Sequence, residues 1–152
     1  MSLALLLKFL HVVAAFAAVS IQVGSDLYFQ RVVGSGSTEA VARFGEAIRR
    51  RGFVEGVIFE IAVVLGLLAA WTGGFNLLAG WLVLAYVDVV LMIILGVFFA
   101  AAPFTAILEA AEAGDASAMA AAARAPRRRA MLAIGIVLYG ALIFLMVVKP
   151  FA

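Results

Sequence analysis

The chain has 152 residues, of which 67% are hydrophobic and 13% are charged, and its mean hydropathy is +1.21. Soluble domains carry about 25% charged residues, so the composition predicts an integral membrane protein with a single domain, residues 1–152. The sequence holds no cysteine and one histidine. This excludes disulfides, thiolate metal sites and iron–sulfur clusters, and it excludes a multi-histidine metal site within one chain.

Long apolar segments predict an all-α fold, a transmembrane four-helix bundle. The predicted spans are residues 3–33, 53–71, 77–102 and 130–148. Crossing a bilayer takes about 20 apolar residues, and each segment is close to that length or longer. Residues 15–17 look like a signal-peptide cleavage site, but the apolar character continues to Phe29. We therefore expect a retained first span rather than a signal peptide.

A short amphipathic helix is expected between the first two spans. Residues 34–37 form a cluster of helix breakers, and residues 38–51 then show an apolar edge of Val41, Phe44 and Ile48. Such a pattern is typical of a helix that lies along the membrane surface. Gly52 suits the C-terminal cap of that helix.

The connections after the second and third spans carry turn signals. Gly73-Gly74 predicts a tight turn, flanked by Trp71 and Trp81 as expected interface residues. Pro103 is expected to kink the third span or to start a new helical turn. The helix then continues over residues 104–113, Gly114 ends it, and Asp115 caps an alanine-rich helix at residues 116–125.

The arginines predict how the chain is oriented. All nine lie in the first and third connections, namely Arg31, Arg43, Arg49, Arg50, Arg51, Arg124, Arg127, Arg128 and Arg129. The positive-inside rule makes these connections cytoplasmic and places both termini outside, in a bacterial inner membrane. Anionic membrane lipid is the expected partner of the arginines. Nucleic acid is not expected, since no aromatic interleaving or recognition module accompanies them.

Polar residues follow one face of the first helix. At spacings of three and four the face carries Lys8, His11, Ala15, Ala18, Gln22, Asp26 and Phe29. The two alanines form either a packing seam or a gap that a flat ligand fills.

Polar residues also occur within the second and third spans, where Glu60 and Asp88 join Gln22 and Asp26 as intramembrane candidates. Ionisable groups at such depths are costly unless paired or hydrated, which makes them functional candidates. Asp88 is the sharpest case. It is either a protonated carboxyl that holds helices together or a functional group.

His11 has two interpretations as well. It is either a structural histidine or an axial haem ligand, since helix bundles hold cofactors between facing helices. Met146 and Lys149 lie near the expected depth of His11 in the fourth span. Together with Lys8 and His11 they form a candidate site for haem b, with His11 as the iron ligand. A symmetric dimer would supply His11 twice. Methionines at helical spacing more often serve packing.

Short motifs resemble those of a family of small bacterial four-span integral membrane proteins of unassigned activity. The resemblance lies at the two ends, in Leu7-Lys8-Phe9-Leu10-His11-Val12 and Leu145-Met146-Val147-Val148-Lys149-Pro150. The turn Gly73-Gly74 and residues 112–115 also fit. That family is distantly similar to copper-resistance D-type proteins and to the membrane protoporphyrinogen oxidase that binds haem through a first-span histidine. The resemblance implies that His11 stands at the ligand position. Relatives commonly have a tryptophan and paired glycines where this chain has residues 17–21.

Three hypotheses for the function follow. The first is an integral membrane protein of unassigned activity that binds haem through His11. The second is a proton-linked carrier or channel subunit that uses Asp88 and Glu60. The third is a structural or accessory subunit of a membrane complex, a homo-oligomer included, because glycines such as Gly96, Gly135 and Gly140 permit close helix contact. No nucleophile–base pair or phosphate-binding loop predicts an enzyme.

Overall fold

The computed structural model describes residues 2–151, with all side chains except those at positions 49–51, 53 and 100. The predicted cytoplasmic side chains of Arg49, Arg50 and Arg51 therefore lie outside the described residues. Within this part of the chain the structure is helical, which confirms the predicted all-α class. The elements are α1 (Leu3–Gly34), α2 (Thr38–Thr72), α3 (Gly80–Ile94), a π-helical segment (Leu95–Ala100), α4 (Ala101–Glu112), α5 (Ala116–Arg124) and α6 (Pro126–Val148).

Within the described residues, four helices are long and apolar enough to cross a membrane, as predicted. They are Leu3–Gly34, Val54–Thr72, Gly80–Glu112 and Pro126–Val148. Large apolar side chains along them are exposed, for example Phe16 at 75% and Ile136 at 73%. Such surfaces are rare on soluble proteins and suit lipid. The chain is a multi-pass membrane protein.

The predicted surface helix at residues 38–51 is not a separate element. α2 continues without a break from Thr38 to Thr72, so Gly52 is not a cap. A glycine inside a helix costs about 1 kcal/mol relative to alanine, which is too little to end a helix that neighbouring residues favour. The predicted apolar edge is real, but Phe44 packs on α1: its ring centroid lies 4.7 Å from that of Tyr28 and 6.1 Å from that of Phe29.

The third span continues past Pro103 to Glu112, as predicted, and changes its helical geometry before that proline. The π-helical segment Leu95–Ala100 joins α3 to α4, so the helix runs from Gly80 to Glu112. Proline lacks an N–H and its ring clashes with the carbonyl four residues earlier, which is that of Phe99. The π-helical segment, which contains Phe99 and ends three residues before Pro103, widens the helix at this carbonyl. The expected kink is thus a local change of helix type.

The chain divides into two compact units, each described by itself. The first comprises Met1–Ser35 and Ala40–Leu77, and the second Gly36–Glu39 and Leu78–Ala152. In the first unit, α1 and α2 are antiparallel, because His11 near the start of α1 contacts Ala62 near the end of α2. Ala18 is only 3% exposed. Ala18 is therefore packed within this unit, whereas Ala15 is half-buried.

In the second unit, α3 packs with α6, and α4 packs with α5. The turn between α4 and α5 follows the predicted chemistry: Gly114 has a φ of +72°, and the Asp115 carboxylate accepts hydrogen bonds from the backbone N–H groups of Ser117 and Ala118 at 3.0 and 2.9 Å. Ile107 and Met119 are fully buried in this unit.

Candidate functional site

His11 is held by one hydrogen bond to the neighbouring helix. Its Nδ1 lies 2.7 Å from the backbone carbonyl oxygen of Ala62. A carbonyl oxygen only accepts, so Nδ1 carries the proton and the lone pair of the neutral ring is on Nε2. His11 lies eight residues after Leu3, about 12 Å along α1.

Gly66 makes room for the His11 ring. A Cβ atom at this position would lie 2.8 Å from both Cε1 and Nδ1 of His11, closer than atoms approach without a shift. Ala62 and Ala70, one turn away on either side, are 3% and 6% exposed. Small residues four apart allow close approach between membrane helices. This face of α2 was not predicted from the sequence, although small residues spaced four apart at Ala62, Gly66 and Ala70 are a readable signal.

The other residues of the predicted haem site are distributed over both units. Lys8 is exposed, three residues before His11 on α1. Met146 and Lys149 belong to the second unit, and both are half-buried. Lys149 caps the end of α6 with a left-handed backbone, φ +50°, and its Nζ lies 5.5 Å from the centroid of the Trp81 ring. This distance is within the range of a cation–π interaction.

Asp88 lies in the interior of the second unit. It is 6% exposed, and among the described residues its Oδ2 has no hydrogen-bond partner. Native structures pair almost all buried polar atoms with protein groups or ordered water, so an exception needs an explanation.

The remaining intramembrane polar residues lie in the first unit and differ in exposure. Gln22 and Asp26 are half-buried, whereas Glu60 is exposed. The structure adds Glu55, a half-buried residue whose charge interacts with that of Asp26. Glu55 was passed over because it stands at the start of the second span. The sequence nevertheless pointed to Glu55, because Asp26, which was predicted as an intramembrane residue, lies similarly close to the arginine-bearing end of α1.

Metal binding by clustered side chains is not indicated in the described part of the chain. It contains no group of three or more histidine, cysteine, aspartate or glutamate side chains that could hold a metal ion. The candidate iron ligand is thus one imidazole, that of His11, with one ring nitrogen free. In the described part of the chain, clustered carboxylates do not provide a second ligand. No protein-family model, no curated protein and no solved structure matches the chain.

Proposed function

We propose that the protein is a bacterial inner-membrane protein that binds haem b through Nε2 of His11. One observation carries this proposal, namely the 2.7 Å hydrogen bond from Nδ1 of His11 to the Ala62 carbonyl. Histidines that bind metals usually donate their other N–H to a carbonyl or carboxylate, which fixes the tautomer and the ring orientation. The N-terminal motif resembles a family that is distantly similar to the membrane protoporphyrinogen oxidase, which binds haem through a first-span histidine, and this resemblance supports the same assignment.

The residues around His11 have defined roles in this proposal. The Ala62 carbonyl fixes the tautomer and the orientation of the ring, and Gly66 leaves the space that the ring needs. Lys8 is an exposed cation on the face of His11, suited to a haem propionate. Met146, Lys149 and a second His11 from a symmetric copy remain the sequence-based candidates for further contacts. Bound haem would supply one-electron redox chemistry.

The proposal is tested by haem uptake of the purified protein. We expect the wild-type protein to take up added haemin in detergent and to show a Soret band, and the variant His11→Ala to show none. Lys8→Gln should keep the band with weaker binding. Gln22→Ala, a change on the same helix face, serves as the control and should keep the band unchanged. A wild-type protein that takes up no haem, or equal uptake by His11→Ala, would refute the proposal.

A second function is favoured by Asp88. A buried carboxyl with an unpartnered oxygen is the arrangement expected of a group that takes up and releases protons within a membrane protein. In this alternative the protein is a proton-linked carrier or channel subunit, with Glu60 as the second predicted residue. Proton flux into liposomes should then be lost in Asp88→Asn and kept in Glu109→Gln, an exposed carboxylate outside the predicted path. Equal flux in the wild type and in Asp88→Asn argues against it.

The third function, a structural or accessory subunit, is supported by open glycines. A Cβ atom at Gly96, Gly135 or Gly140 would meet nothing within 4 Å, so these positions leave room for a helix of another chain. Substitution of Gly135 and Gly140 by leucine should then shift the oligomeric state in detergent. Light scattering measures the oligomeric state, and a monomeric mass for the wild type would count against this function.

A further inference from the structure

Two cations of the second unit lie over aromatic rings, one near each end of its membrane-spanning helices. Nζ of Lys149 is 5.5 Å from the centroid of the Trp81 ring, and Cζ of Arg127 is 5.9 Å from that of the Phe99 ring. Both distances are within the range of a cation–π interaction. Trp81 and Phe99 belong to one continuous span, and Arg127 and Lys149 stand at the two ends of α6. The two pairs therefore connect the same two helices at opposite ends.

The spacing of the two pairs matches the thickness of a membrane. Phe99 follows Trp81 by 18 residues, about 27 Å along a helix, and Lys149 follows Arg127 by 22 residues, about 33 Å. The hydrocarbon core of a bilayer is about 30 Å thick, and tryptophan and basic residues concentrate at its two boundaries. The pair of Arg127 and Phe99 therefore lies at the level of the lipid headgroups, at the arginine-bearing end of the spans.

Arg127 is available to bind an external anion. It is exposed, and within the described part of the chain neither Arg127 nor the nearby Arg124 and Arg129 form an ion pair. Glu109 is the first carboxylate after Phe99 on the same helix, and it stands ten residues beyond, about 15 Å further along the helix. No described carboxylate thus serves as the counterion of these three arginines. Anionic lipid headgroups carry negative charge at this level.

The ring of Phe99 presents Arg127 to such a headgroup. A guanidinium that stacks on an aromatic ring keeps the N–H groups at its edge, which bind phosphate oxygens in pairs. Phe99 is 42% exposed, and Val97 and Phe98, which precede it toward the membrane centre, are 61% and 69% exposed. An exposed apolar surface therefore lies on the hydrocarbon side of the cation, as a lipid bound by its headgroup requires.

We propose that Arg127 and Phe99 form the centre of a binding site for one anionic phospholipid, in the leaflet on the arginine-bearing side. The Arg127 guanidinium binds the phosphate, Phe99 holds the guanidinium at the headgroup level, and an acyl chain lies on the exposed apolar surface at Val97. The site belongs to the second unit, whereas His11 belongs to the first. It is therefore independent of haem binding.

Native mass spectrometry of the detergent-solubilised protein tests the site. We expect the wild type to retain one dioleoyl phosphatidylglycerol more strongly than dioleoyl phosphatidylcholine. Arg127→Gln should weaken phosphatidylglycerol binding about fivefold, the contribution of one basic residue near an anionic surface. Arg43→Gln is the matched control and should leave this binding unchanged, because it removes the same charge but Arg43 already has a partner in the protein. Equal binding of the two lipids, or equal weakening in both variants, would overturn the proposal.

Two neighbouring phenylalanines separate the role of the ring from that of the charge. Phe99→Leu keeps an apolar side chain but removes the ring under Arg127, so phosphatidylglycerol binding should weaken about two- to fivefold, the contribution of an exposed cation–π interaction. Phe98→Leu, at the exposed neighbouring position, is the matched control and should bind like the wild type. Equal affinities of the two variants would contradict the role of Phe99.

A soluble phosphate distinguishes a lipid site from a general anion site. Glycerol 3-phosphate carries the phosphate without acyl chains, so it should not displace phosphatidylglycerol at equal concentration. Displacement would assign the site to a soluble phosphate compound and would overturn the proposal.

Discussion

The imidazole of His11 occupies the space that a side chain at Gly66 would need. A Cβ atom at Gly66 would lie 2.8 Å from two atoms of the ring, and the same ring is hydrogen-bonded at 2.7 Å to the Ala62 carbonyl. One turn of α2 thus provides both the space and the acceptor. Because the ring is fixed from both sides, its orientation depends on the backbone of α2.

Gly66→Ala should destabilise the first unit. The added methyl group displaces the His11 ring and lengthens or breaks its hydrogen bond, at a cost of about 1–3 kcal/mol in the free energy of unfolding. Equilibrium unfolding in mixed detergent micelles measures this change. In a His11→Ala background the same substitution should cost less, because the clash is gone.

The control for this substitution is Gly56→Ala, also in α2. A Cβ atom at Gly56 meets nothing within 4 Å, so the variant should unfold like the wild type or slightly later, as alanine favours the helix. If both variants are equally stable, His11 does not rely on the space at Gly66.

The site could be predicted from the sequence only in part. His11 was found because a lone histidine on an apolar helix is conspicuous. Its partners were not found, because Ala62 contributes a backbone carbonyl, which every residue has, and Gly66 contributes an absence of atoms. Local patterns show which residues are unusual, whereas a hydrogen bond between α1 and α2 depends on the helix register, which no local pattern specifies.

The fold, like the site, could be predicted from the sequence only in part. Length and hydropathy were enough for the four spans, because a membrane imposes them directly. The prediction that a helix ends at Gly52 was wrong. Gly52 in α2 lacks a positive φ, and no helix breaker follows it. Gly114, in contrast, has a φ of +72° and is followed by Asp115, which caps the next helix. Gly114 was correctly predicted for that reason. Glycine alone is a weak stop signal, and glycine followed by a capping residue is a strong one.

Asp88→Leu should stabilise the protein. The Oδ2 atom of Asp88 is buried without a partner among the described residues, and a buried polar atom without a partner costs about 1–3 kcal/mol. Leucine has the same branching and the same number of heavy side-chain atoms and needs no hydrogen bond, so the free energy of unfolding should rise by a similar amount. Val87→Leu, at the exposed neighbouring position, should change it little. A loss of stability in Asp88→Leu would show that the carboxyl is engaged, for instance by a bound water.

The cap of α5 should depend on pH. Hydrogen bonds from the backbone of Ala118 and from Ser117 to the ionised Asp115 carboxylate lower the pKa of Asp115 below its ordinary value. The unfolded chain has the ordinary pKa, so this contribution to stability is complete above that value. It is lost as the pH falls through the lower pKa of the folded state.

Hydrogen exchange at the amides of Ser117 and Ala118 measures the cap. Protection relative to the intrinsic exchange rate should fall on acidification in the wild type. Asp115→Asn keeps an acceptor that does not titrate, so its protection should stay nearly constant with pH. The same acid-induced loss in both proteins would assign the effect to other carboxyl groups.

Cysteine labelling should establish how the chain is oriented, because the natural sequence contains no cysteine. The positive-inside rule places the second connection outside and α5 in the cytoplasm. Asn76→Cys should therefore react with a membrane-impermeant maleimide in spheroplasts, in which the outer membrane and cell wall have been removed. Ala121→Cys, also at an exposed position, should react only after lysis. The wild type controls for background labelling. The opposite pattern would place the arginine-bearing connections outside.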